Sequence, residues 1–133
     1  MQKEYNITDF FTKSNHEKSK KMELLLDGEK TGHHFMVKGS EAPTVQRDKV
    51  VAQVGYANTA ELIEGVKGKV EQECKKRDLN EEIEIDYAMS LIEGWSFKDC
   101  SAKDVKKLLQ ENRGLALSVI SFSSTNSNYL QKK

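Results

Sequence analysis

Imidazoles are common metal ligands, and this chain places two side by side at His33 and His34. Neighbouring side chains on a strand point to opposite faces, and no Cys or carboxylate stands at ligand spacing, so the pair is not arranged to share one ion. His16 lies alone in a polar stretch. A nucleophile needs a base and an orienting group, and the serines of the C-terminal region stand at helix and turn positions with no GxSxG elbow. Cys100 precedes a helix start without a nearby histidine, and neither it nor Cys74 belongs to a CxxC pair, so two buried thiols are expected. The carboxylates from Glu81 to Asp86 complement the dipole of a helix start. Gly28, Gly32, Gly39 and Gly55 are turn glycines, and no GxxxxGK[ST] phosphate loop accompanies them. The expectation is a non-catalytic protein with no metal and no cofactor.

Composition narrows the partners. The chain has 133 residues, the size of one domain with a single core. Lys plus Arg and Asp plus Glu each total 21, so the formal charge is zero and the electrostatic footprint of a dedicated nucleic-acid binder is missing. An apolar fraction of 37% beside 32% charged residues implies a lean core and a well-solvated surface. No run approaches the roughly 20 apolar residues of a membrane span, and the Lys-containing start does not resemble a secretory signal, so a cytoplasmic protein is expected. Residues 1–21 read as a mobile basic arm, in which Lys13, Lys18, Lys20 and Lys21 outnumber Glu17. Residues 22–133 read as one domain, and self-association is left open.

The elements that must position any site follow from periodicity. Asn6 to Phe11 suggests one short helical turn capped by Thr8 or Asp9. Met22 to Leu26 and His33 to Val37, separated by Asp27 to Gly32, predict a β-hairpin, which needs helices over one face. Pro43 suits a helix start, and Val45, Val50, Val51 and Val54 give that helix its apolar side up to Gly55. Asn58 and Glu61 have capping-box spacing before Leu62, Ile63, Val66, Val70 and Cys74. A break at Asp78 to Asn80 should precede a helix from Glu81 to Glu93 that Gly94 ends. Ser101, with Asp104 three positions on, starts a helix that carries Val105, Leu108 and Leu109 and stops at Gly114. A last helix carries Leu115, Val119, Ile120, Phe122, Tyr129 and Leu130. The fold class is therefore α+β, mostly α, with a short N-terminal β-hairpin packed on about five helices.

Two segments suggest recognition. Val50 to Ile63, with Gly55 at the turn and Asn58 as cap, looks like a helix-turn-helix, although Glu61, Glu64, Glu71 and Glu73 on the second helix would repel phosphates. A small helix-turn-helix regulator is thus the alternative function, and an enzyme subunit without its own catalytic centre is a further one. Trp95 and Phe97 flank Ser96 in an inter-helix loop, where aromatics serve either as a partner anchor or to close the core.

The N-terminal strand pair, the middle helix, Leu91-Ile92-Glu93-Gly94-Trp95, Leu108-Leu109, and Val119 to Phe122 leading to Asn128-Tyr129-Leu130 together resemble the tail assembly chaperones of long-tailed bacteriophages. The likeness spans Leu25 to Leu130, and its specific part is the last third. Relatives often have proline where this chain has Arg113-Gly114. The resemblance implies binding of the helical, aggregation-prone tape measure protein in the host cytoplasm, help in delivering the tail tube protein, and absence from the mature virion. On this reading Phe122 and Tyr129, two turns apart on one helix face, hold a client helix together with Leu130, with Trp95 and Phe97 next in line.

Overall fold

In the computed structural model residues 4–130 are described, Asp9 by its backbone alone. The fold is α+β and mostly helical, and the hairpin is present. Strand β1 (Lys20–Leu26) turns through Asp27 and Gly28, both at positive φ, into antiparallel β2 (Glu29–Val37). Asp-Gly is a strong sequence signal for such a two-residue turn, whose backbone twist matches that of the strands. The expected six-residue loop is thus mostly strand. Its Gly32, also at positive φ, lies where the register shifts opposite Leu24, and Thr31 Oγ1 donates to the Leu24 carbonyl at 2.8 Å.

A third strand, β3 (Ile92–Trp95), pairs with β2 and completes the order β1-β2-β3. The chain was expected to remain helical to Glu93. It becomes extended at Ile92 because Val37 and Phe35 offer a free edge in register with Ile92 and Trp95.

Among the described residues there are four α-helices where about five were expected. Helix α1 (Pro43–Glu64) runs unbroken through Gly55, so the predicted stop at Gly55 and start at Asn58 do not occur, and the segment forms no helix-turn-helix. One interior glycine costs only about 1 kcal/mol, less than ending and restarting a helix that has continuous contacts. Helix α2 (Lys69–Leu91) likewise passes through the predicted break at Asp78 to Asn80. The turn between the two lies at residues 65–68, where Gly68 adopts positive φ. Helix α3 (Ala102–Glu111) has the expected capping box: Ser101 Oγ accepts from the Asp104 N–H, and the Asp104 carboxylate accepts from the Ser101 N–H. That pairing holds the Asp104 carboxyl below its usual range, with the backbone N–H of Ser101 as the main cause. Asn112, not Gly114, separates α3 from α4 (Arg113–Ser124), and its side chain caps α4 by accepting from the Leu115 N–H. Helix α4 stops at Ser124, and a 3₁₀ turn over Asn126–Tyr129 follows.

The core joins Phe35 and Val37 of the sheet to Ile85, Ala88 and Leu91 at the end of α2, Val105 and Leu109 of α3, and Ala116 and Val119 of α4. From α1 it takes only Val45. Residues 46–84 contribute nothing to this core, so α1 and the first half of α2 form a two-helix arm packed on itself.

The basic arm expected over residues 1–21 is docked at its end. His16 is fully buried: its Nδ1 accepts from the Glu41 N–H at 3.0 Å, which leaves Nε2 to donate to Asn126 Oδ1 at 3.1 Å, and the ring lies against Tyr129. A Cβ on Gly39 would overlap that imidazole, so glycine alone fits there. Glu17 then replaces the cap that Ala42 cannot supply to α1. Its carboxylate accepts from the Thr44 N–H at 2.7 Å and pairs with Lys38 at 3.5 Å. The short turn near the N-terminus spans Ile7–Phe10.

Candidate partner-binding surface

The five aromatic and aliphatic residues that the sequence nominated do not form one face. Tyr129 is fully buried, and its hydroxyl donates to the Val37 carbonyl at 2.9 Å, so it fastens the C-terminal turn to β2. Burial pushes its phenol well above the usual range. Phe122 is half-buried and meets Tyr129 edge-on at 6.1 Å, but the helix has ended between them, so the expected shared helix face is absent. Trp95 is half-buried against the core, and its Nε1–H donates to the Cys100 carbonyl at 2.9 Å. Phe97 stacks on His33 at 4.2 Å. Leu130 is exposed. Trp95, Phe97 and Tyr129 therefore pack within this fold, and Leu130 alone of the five is exposed.

The histidine pair is divided as strand geometry requires. His33 is exposed and its Nδ1 bonds Ser96 Oγ at 3.0 Å, while the His34 N–H donates to the same hydroxyl at 2.9 Å. Among the described residues no cluster of three His, Cys, Asp or Glu could hold a metal ion. Cys74 is exposed and Cys100 half-buried, against the expectation of two buried thiols; with the arm outside the core, the α2 position of Cys74 has nothing to cover it.

The concave feature that sequence reasoning missed lies where the arm leaves the core. A groove of about 650 Å³ runs between α1, the middle of α2 and α4. Ala52, Ala57 and Ala60 form one wall, Ile83 and Tyr87 the floor, and Leu117 and Ile120 the far side. Small residues on α1 keep the wall low and open it to solvent. Its lining is mostly apolar and includes Tyr56 and Asp86, where the tyrosine hydroxyl donates to the carboxylate. Burial, and next the adjacent Asp86 carboxylate, push the Tyr56 phenol well above its usual range. Lys106 pairs with the other Asp86 oxygen at 3.2 Å, so one carboxylate ties α1, α2 and α3. Across the groove's lower end Arg113 makes a two-pronged contact with Glu84, at 3.0 and 3.2 Å, joining α4 to α2. The alanines at 52, 57 and 60 carried no signal alone, because alanine suits any helix position.

An open, mostly apolar trough between helices, with the Glu84 and Asp86 carboxylates held by Arg113 and Lys106, can hold an apolar helix face. No helix among the described residues is long and apolar enough to cross a membrane. No family model matches the chain, and no curated protein or solved structure is significantly similar to it.

Proposed function

We propose that this protein is a non-catalytic binding module that holds a helical segment of another protein in the groove between α1, α2 and α4. The observation that carries this reading is the groove itself, apolar, open, and lined by alanines that leave room for a second helix. The resemblance of the last third to phage tail assembly chaperones makes the client a tape measure protein, held soluble in the host cytoplasm until it is passed on with tail tube subunits. Reversible binding suits such a role: the trough is open, and its Glu84 and Asp86 carboxylates keep their partners Arg113 and Lys106 within the chain when a client leaves.

Co-expression with the long helical product of a neighbouring reading frame tests the proposal. The wild type should keep that product soluble, and Ala60→Trp, which fills the groove, and Ile83→Asp, which charges its floor, should both lose it while Leu26→Ala on the distant hairpin keeps it. Circular dichroism of each variant controls for folding. Solubilisation that survives both groove changes in folded protein would overturn the assignment of the site.

A further inference from the structure

Helix α1 has two apolar faces, and only one is used. At about 100° per residue, Val45, Ala52, Tyr56 and Ile63 fall on one line, and these are the α1 residues that are buried or half-buried. Val54 lies roughly opposite that line, with Val50 and Val51 on its two sides. Val50, Val51 and Val54 are 57%, 64% and 69% exposed, and Leu62 one end further along is 76% exposed. A row of β-branched residues lowers helix propensity, so its presence on a solvated face calls for a contact that rewards it.

We propose that this outer face of α1 packs against the same face of a second copy of the chain, antiparallel, with the two-fold axis at Val54. Charge complementarity selects this occupant. Residues that face each other across such an axis have numbers symmetric about 54, which sets Arg47 opposite Glu61 of the second copy, twice, at the two ends of the valine patch. Arg47 and Glu61 lie on the outer face and are exposed, and among the described residues neither has an ion-pair partner within the chain. Val54 meets its own copy and Val50 meets Asn58, so uncharged side chains fill the centre and opposite charges close the ends, the arrangement that fixes register in paired helices. A parallel arrangement would instead bring Arg47 to Arg47 and Glu61 to Glu61. The formal net charge of zero puts no long-range repulsion between copies. The groove opens on the other side of α1, so pairing leaves one client trough accessible on each copy.

Sedimentation equilibrium of the full chain tests this. The contact is small, so a reversible dimer is expected at about 100 µM protein and monomer on dilution to about 1 µM. Val54→Asp places two carboxylates at the axis and should weaken association at least tenfold, with helicity by circular dichroism unchanged. Arg47→Glu alone and Glu61→Arg alone should each weaken it, and the double variant R47E/E61R should restore it, which holds the test open if Val54→Asp fails to fold. In a background of Cys74→Ser and Cys100→Ser, Val54→Cys should oxidise to a homodimer. A wild type that is monomeric at about 100 µM, a dimer indifferent to the charge changes, or a face that becomes covered only when a different protein is added would each overturn the proposal.

Discussion

The half of the molecule built from the sheet, the end of α2, α3 and α4 and the arm built from residues 46–84 are made of similar elements and differ in what those elements touch. In the first half, residues from each element meet in one core: Phe35, Leu91, Leu109 and Val119 are fully buried, and buried polar groups such as His16 and Tyr129 have hydrogen-bond partners. In the arm, two long helices share one narrow contact line and leave Val50, Val51, Val54, Leu62 and Val70 in water. Isolated helices gain most of their stability from tertiary packing. The comparison therefore separates a part that encloses a core from a part that leaves apolar surface uncovered within the chain, the surface that both proposals assign to other chains.

Breaking the comparison begins with truncation. Leu109→Ala should cost about 2–5 kcal/mol in urea unfolding, because the site is closed on all sides, whereas Val51→Ala under monomeric conditions should change stability by no more than about 0.5 kcal/mol. Equal costs would show that the arm is packed as tightly as the core. Gly39→Ala comes next, at about 1–3 kcal/mol, since the added methyl must displace the buried His16 ring. Tyr129→Phe should lose about 1 kcal/mol by removing the bond to the Val37 carbonyl, and unchanged client binding in that variant would confine Tyr129 to packing. The smallest effect sharpens the junction of the two regions. Glu17 caps α1 from a distance, and the Thr44 backbone N–H is the main cause that holds its carboxyl below the usual range. A lowered carboxyl contributes stability that is present above its unfolded value and lost as pH falls through its folded one. Glu17→Gln should therefore destabilise by about 1 kcal/mol at neutral pH, and its difference from wild type should close in acid, as read from urea midpoints across pH.

Much of the first half was legible because its signals are local. Asp27-Gly28 dictates a hairpin turn, Ser101 and Asp104 dictate a capped helix, and the positions of Val105, Leu109 and Val119 follow helical spacing into the core. What was not legible depends on residues distant in sequence. Ile92–Trp95 becomes strand because β2 has an edge to pair, and His16 is buried because Gly39 and Asn126 make room and a partner for it. The arm misled in a more instructive way. Val45, Val50, Val51 and Val54 give this helix an apolar side by periodicity, but only Val45 is buried, and the other three lie across the helix from its buried line. Periodicity marks which residues seek apolar surroundings and is silent on whether the chain itself provides them. The groove shares this limit, since the α1 wall owes its openness to alanines, which carry no pattern of their own.

Residue-resolved hydrogen exchange at two protein concentrations tests most directly the claim that the arm is completed by other chains. Local opening should cost less in poorly packed segments than in the core. In dilute protein, amides of residues 46–62 should exchange markedly faster than those of residues 85–91 and 105–119, and raising the concentration should slow the α1 amides while leaving the core amides unchanged. Uniform protection of both regions at every concentration would contradict the account.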